Sequence, residues 1–230
     1  MTSEKILIVD DETDILELIS LYLMKEGFEV VTCQEGDQVL DMLAQHQPDL
    51  LILDVLLPGM DGIEVCRSIR KISHIPILFI SCKSDDLDVI LGLGVGGDDY
   101  IPKPFSPSQL VARVKAHLRR HSMIEPNQTQ PDVLIFDGLE IHLSSHSVIV
   151  QQEEVNLSSK EFDLLVLLAS HPKKVFKIDQ LYEEIWGSDS LGDTRTLMVH
   201  ISNLRKKIET DPANPVYIIT IRGVGYKFNA

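Results

Sequence analysis

The chain is short of several residue types, and each shortage excludes a class. Its three cysteines, Cys33, Cys66 and Cys82, lie 33 and 16 residues apart. That is neither an even disulfide set nor a metal-ligand spacing, so they read as buried thiols of a reducing cytosol. No apolar run exceeds Leu164–Ala169, far short of the ~18 residues that cross a bilayer, and no signal-peptide pattern is present. The expectation is a cytoplasmic protein without membrane association. Basic residues are outnumbered 21 to 35, a net charge of −14, and a field of that sign repels DNA and anionic lipid. Low-complexity tracts and internal repeats are also missing. With 44% apolar and 24% charged residues, the composition is that of a globular protein, and 230 residues allow two domains.

The charge is unevenly spread. Residues 1–120 carry 11 basic and 20 acidic side chains, whereas residues 194–230 carry six basic ones (Arg195, Arg205, Lys206, Lys207, Arg222, Lys227) against Glu209 and Asp211. A local excess of +4 is thus hidden under the global sign. The apolar pattern divides the chain at the same level. Short continuous runs at Ile6–Val9, Phe28–Val31, Leu50–Leu53 and Ile77–Ile80 suit strands covered on both faces, and helical spacings separate them. Five βα units predict a doubly wound, five-stranded parallel sheet over 1–120, with strand order 2-1-3-4-5. Residues 121–132 are polar, contain two prolines and read as a linker. From 133 to 230 the pattern changes to short antiparallel strands, three helices (158–169, 178–186 and 193–209) and a closing hairpin. Ser158 followed by Glu161 is a capping box, and the third helix is basic, which together describe a winged helix-turn-helix.

In a doubly wound sheet ligands gather at the carboxyl ends of the strands. Asp10 and Asp11 end the first strand and Asp54 the third, so three carboxylates converge on one rim. Their mutual repulsion, roughly 4 kcal/mol for a pair ~4 Å apart at an effective dielectric of about 20, calls for an oxygen-seeking divalent cation such as Mg²⁺. Ser81 and Lys103, after the fourth and fifth strands, add a hydroxyl and an ammonium. Carboxylate, metal, hydroxyl and lysine form a site for a phosphoryl group. An aspartate-nucleophile phosphatase would carry a second acid two positions on, where this chain has Leu56, so the enzyme reading is disfavoured.

These residues, with the stretches LPGMDG at 57–62 and DDYIPKPF at 98–105, resemble the receiver domain of two-component response regulators. The resemblance implies that Asp54 accepts a phosphoryl group from a sensor histidine kinase, and that Mg²⁺ is held by Asp11, Asp54 and the Leu56 carbonyl, with Asp10 acting through water. Lys103 and Ser81 would contact the phosphoryl oxygens, and Tyr100 would turn inward as a switch. The stretches 157–165, 195–206 and 221–226 resemble the effector domain of OmpR/PhoB-type transcription factors. That likeness implies DNA contacts from Arg195, His200, Asn203, Arg205, Lys206, Thr220, Arg222 and Tyr226, and an RNA polymerase contact from the loop 186–194. It also implies a homodimer, formed on phosphorylation, with Asp99 and Arg113, and Asp98 and Arg120, as intersubunit ion pairs; the departures from the family pattern predict a weaker or more apolar dimer centred on Val89, Ile90 and Leu93. Val89 and Gln109 stand where a basic and an acidic residue are usual, which removes one expected ion pair. The expected function is a DNA-binding regulator, not an enzyme, that occupies tandem half-sites of promoter DNA. A phosphorylation-independent adaptor using the acidic rim as a protein surface is the alternative.

Overall fold

The computed structural model describes residues 3–83, 85–121, 132–187 and 194–229. The chain falls into two compact units, residues 1–118 and 119–230. No described helix is long and apolar enough to cross a membrane.

The first unit alternates strand and helix throughout: β1 (Lys5–Val9), α1 (Thr13–Lys25), β2 (Glu29–Cys33), α2 (Val39–His46), β3 (Leu50–Asp54), α3 (Gly62–Ile69), β4 (Ile77–Ser81), α4 (Asp86–Gly94), β5 (Asp99–Pro102) and α5 (Pro107–His121). All strand pairs are parallel, in the order β2-β1-β3-β4-β5, as the sequence predicts. Ile6, Ile8, Leu50, Ile52, Leu78 and Ile80 pack with Leu16, Ile19 and Leu23 of α1 and Leu110, Val114 and Leu118 of α5. Their neighbours of opposite parity, Leu7, Leu51, Leu53 and Phe79, are buried too, so both faces are sealed and the strands read as unbroken apolar runs. Register puts Val9 beside Leu53 and Asp54 beside Ile80. The strands therefore end together, and the residues that follow meet on one rim. Gly62 opens α3 against this rim. A Cβ there would lie 2.0 Å from the Asp54 carbonyl oxygen, so only glycine allows the approach.

The second unit begins with the antiparallel meander β6 (Val133–Phe136), β7 (Leu139–His142), β8 (Ser147–Val150) and β9 (Glu153–Val155). It continues with α6 (Ser159–Ala169), β10 (Val175–Lys177), α7 (Ile178–Trp186), α8 (Thr194–Ile208), β11 (Ile218–Ile221) and β12 (Gly225–Phe228). The capping box forms: Ser158 Oγ accepts from the Glu161 N–H and the Glu161 carboxylate from the Ser158 N–H. Helices α6, α7 and α8 pack on one another around Leu164, Leu168, Leu181, Ile185, Leu197, Ile201 and Leu204. The fold holds two strands beyond those expected. β9 extends the meander, and β10 joins the hairpin to make a sheet ordered β10-β12-β11. Each is three residues long, too short to show a period of its own. Most of the expected linker lies outside the described residues. Of the three cysteines expected to be buried, Cys33 and Cys66 are, whereas Cys82, just past the end of β4, is exposed.

Candidate functional site

Asp10 follows β1 and is fully buried; Asp54 closes β3 and is 3% exposed. One carboxylate oxygen from each of Asp10, Glu12 and Asp54 lies within 4.8 Å of the others. Lys103 reaches into this group from the end of β5, with Nζ 2.7 Å from Asp54 Oδ2, 2.8 Å from Asp10 Oδ2 and 3.1 Å from Glu12 Oε1. Backbone N–H groups of Glu12 and Leu56 donate to Asp10 and Asp54 at 3.0 and 2.9 Å. Asp10 Oδ2 touches Nζ as an ion pair, but it is a buried oxygen without a hydrogen bond of good geometry. Burial raises the Asp10 carboxyl above its ordinary value, and Lys103 and the Glu12 amide only partly offset that. Burial acts against the charged form of Lys103 as well, yet its contacts with Asp10, Asp54 and Glu12 prevail and raise it.

Three carboxylates against one shared ammonium suit a hard divalent cation. The sequence reading missed Glu12, although it is third in an acidic run. Asp11, named from the sequence as a metal ligand, is exposed and outside the trio. Asp10, its neighbour, is the buried one of the two. Ser81 is buried at the end of β4, and its carbonyl accepts the Lys103 backbone N–H at 2.7 Å. Tyr100 points inward. Its hydroxyl donates to the Lys83 carbonyl at 2.7 Å, and its ring lies over Gly92, where a Cβ would sit 3.1 Å from two ring carbons.

The residues expected at a dimer face are divided differently. Asp98 is fully buried, and its Oδ2 accepts from Arg70 Nη2 at 2.7 Å and from the Ile77 N–H at 2.9 Å. Arg70 also donates to the carbonyls of Gly96 and Ile75 at 2.8 and 2.7 Å. Asp98 is thus an internal clamp, not a residue free to meet a partner's arginine. Asp99 is buried against Arg113 Nη1, 2.7 and 2.6 Å from its two oxygens, with His117 Nε2 at 3.6 Å. Leu93 belongs to the core, Val89 is half-buried and Ile90 is exposed. The outward apolar residues of α4 are Leu87, Ile90 and Leu91. The Arg120 side chain lies outside the described residues.

On α8 the apolar stripe Leu197, Ile201, Leu204 and Ile208 is buried as expected. Arg195, Met198, Ser202 and Lys206 are exposed on the other side. His200 and Asn203 are not on that side. Both are buried, and the His200 ring lies 5.4 Å from the Trp186 ring. His200 stands three residues after Leu197 and four before Leu204, which is the core face. Arg205 donates to the Ile218 carbonyl at 3.0 and 2.6 Å and to Thr220 Oγ1 at 2.8 Å, with its guanidinium 5.7 Å from the Tyr226 ring centre. Arg205, Thr220 and Tyr226 therefore join α8 to the hairpin. Arg222 is exposed at the hairpin turn beside Gly223, whose φ is +75°. Most of the loop 186–194 lies outside the described residues.

Comparison with known proteins finds a family for each half of the chain. Residues 6–115 match the response regulator receiver domain, and residues 152–228 match the C-terminal domain of transcriptional regulatory proteins. The DNA-binding response regulator MtrA of Mycolicibacterium smegmatis is 45% identical over 225 residues, covering 97% of this chain and 96% of that one. A solved structure of the response regulator DrrB, a Thermotoga maritima OmpR/PhoB homologue, is 33% identical over 100% of both chains, with a TM-score of 0.53. The solved structure of a RitR mutant is 29% identical over 99% of both chains, with a TM-score of 0.82. Receiver domains bind Mg²⁺ at the acidic site and take their signal from a histidine kinase. With both halves matched and its relatives aligned end to end, this chain belongs to the OmpR/PhoB-type DNA-binding response regulators.

Proposed function

We propose that Asp54 is the phosphoacceptor and that its modification switches the chain between DNA-binding states. The observation that carries this reading is a carboxylate, 3% exposed at a strand end, bonded to Lys103 at 2.7 Å beside a second buried carboxylate that shares the same ammonium. An Asp54 oxygen attacks the phosphorus of a phosphohistidine on the kinase. The new O–P bond replaces the P–N bond, and the freed imidazole takes up a proton. Lys103 holds the Asp54 carboxylate in place and then faces the phosphoryl oxygens, with the Ser81 hydroxyl as a further donor. The acidic run 10–12, Asp54 and the Leu56 carbonyl would hold Mg²⁺, which when bound neutralises charge on the transferring group. Converting one carboxylate to an acyl phosphate adds negative charge and acceptor oxygens. Those oxygens draw on Ser81 and Lys103, whose main chains are already hydrogen-bonded to each other. Tyr100, packed on the same strand ends, passes the change to α4 and β5.

The dimer we assign to this switch is centred on the outward apolar residues of α4, Leu87, Ile90 and Leu91, not on ion pairs from Asp98. Its two effector domains read half-sites about one helical turn apart. Arg195, Ser202 and Lys206 face the major groove, and Arg222 the minor groove. The loop 186–194 is assigned to RNA polymerase, and the protein to the cytoplasm. Incubation with Mg²⁺ and acetyl phosphate tests the central claim by intact mass. One phosphoryl group is expected on the wild type and none on Asp54→Asn, with DNA affinity rising only in the wild type. A chain that gains no mass, and whose DNA binding ignores Asp54→Asn, is the adaptor instead.

A further inference from the structure

Lys160 is among the most deeply buried side chains of the second unit, 1% exposed, and it sits at the second position of α6. A cation in the first turn of a helix opposes the macrodipole, so the dipole of α6 gains nothing from it there. It reaches another element instead. Nζ donates to the Ile185 carbonyl in the last turn of α7 at 2.8 Å, where the dipole favours a cation. It also stands 5.8 Å from the Trp186 ring centre and 3.5 Å from Asp163. Trp186 stacks on Tyr182 at 5.0 Å and meets His200 of α8 at 5.4 Å. The next residue, Glu161, closes the capping box and pairs with Lys207 of α8 at 2.6 Å. One turn of α6 thus holds the end of α7 and, by two routes, the helix assigned to the major groove.

We propose that Lys160 is a positioning residue for DNA recognition: through Trp186 and His200 it sets where α8 lies, so that base reading depends on a side chain that never meets DNA. The inference rests on reading α8 as the base-reading helix. Trp186 is the chain's single tryptophan, so its emission reports this contact directly. The test uses full-length Lys160→Met, chosen to keep length and apolar bulk. Affinity for a selected DNA site is expected to fall about tenfold, with binding to random DNA and the salt slope unchanged, since no phosphate contact is lost. Trp186 emission should shift in the same variant. A purely structural role predicts a lower melting temperature but the same specific-to-random ratio in the folded protein, and that result overturns the proposal. If Lys160→Met does not fold, His200→Gln decides: the same loss of ratio supports the chain of contacts, and an unchanged ratio overturns it. Lys206→Ala is the control for the underlying reading. It should lower the salt slope by about one; if it does not, α8 is misassigned, a failure separate from that of Lys160.

Discussion

Asp10, just past the carboxyl end of β1, and Asp99, the first residue of β5, lie at opposite strand ends of the same sheet and are almost equally buried, at 0% and 1% exposed, yet their acidities move in opposite directions. Burial pushes both carboxyls up. For Asp99 that push is overcome by the Arg113 guanidinium and by His117, which hold it well below the usual carboxylate range. For Asp10 the shared Lys103 is insufficient and the carboxyl stays raised. The first cluster is closed within the chain, and the second is left with more negative charge than its one lysine matches. A completed buried pair serves stability, whereas an incomplete one marks where a ligand contributes.

The largest effect should come from opening the closed cluster. Arg113→Met leaves Asp99 buried without its main partner, and urea unfolding should show a loss of about 3 kcal/mol. Next is the addition of Mg²⁺ to the wild type. At about a hundredfold excess over its dissociation constant, the ion should stabilise the first unit by about 2.7 kcal/mol. Thermal melts should show that gain sharply reduced in Asp10→Asn. Without Mg²⁺, Asp10→Asn should itself be more stable than the wild type at neutral pH, by roughly 1 kcal/mol, because a strained buried charge is gone.

The pH dependence separates the two clusters at the smallest scale. Asp99 has a lowered carboxyl, so its stabilisation is complete above the ordinary value of 3.8 and fades as pH falls toward its folded value. Asp10 has a raised one. Its penalty is present above its folded value and disappears below 3.8, so the advantage of Asp10→Asn should vanish in acid. Stability curves of the two variants from pH 3 to 7, a range of about four units around the carboxylates, would contradict this account if the Asp10→Asn advantage grew as pH fell.

The parallel sheet was legible because its strands are buried on both faces, which leaves unbroken runs such as Ile6–Val9, and strand ends in such a sheet have only one rim on which to meet. Asp10, Asp54, Ser81 and Lys103 followed from that geometry. Side chains whose partners come from distant elements did not. Nothing near Asp98 in the chain indicates that Arg70, 28 residues earlier, will claim it. His200 and Asn203 were misplaced for another reason. They are polar residues on a helix whose basic character drew them outward, while the spacing of Leu197 and Leu204 already placed His200 inside. Short strands such as β9 and β10 are fixed by pairing with neighbours and carry almost no local signal.

Arg205 on α8 and Glu209, the residue that follows the helix one turn on, both grip the chain that leads into the hairpin. Arg205 holds the Ile218 carbonyl and Thr220, while Glu209 accepts the N–H groups of Val216, Tyr217 and Ile218 at 2.7, 3.0 and 2.9 Å. The helix and Arg222 therefore form a caliper with a preset gap. When such a caliper closes on a duplex, it is the duplex that must adapt. Under the proposed reading of α8 and Arg222, sequences whose minor groove already matches the gap should then be favoured at base pairs the protein never touches.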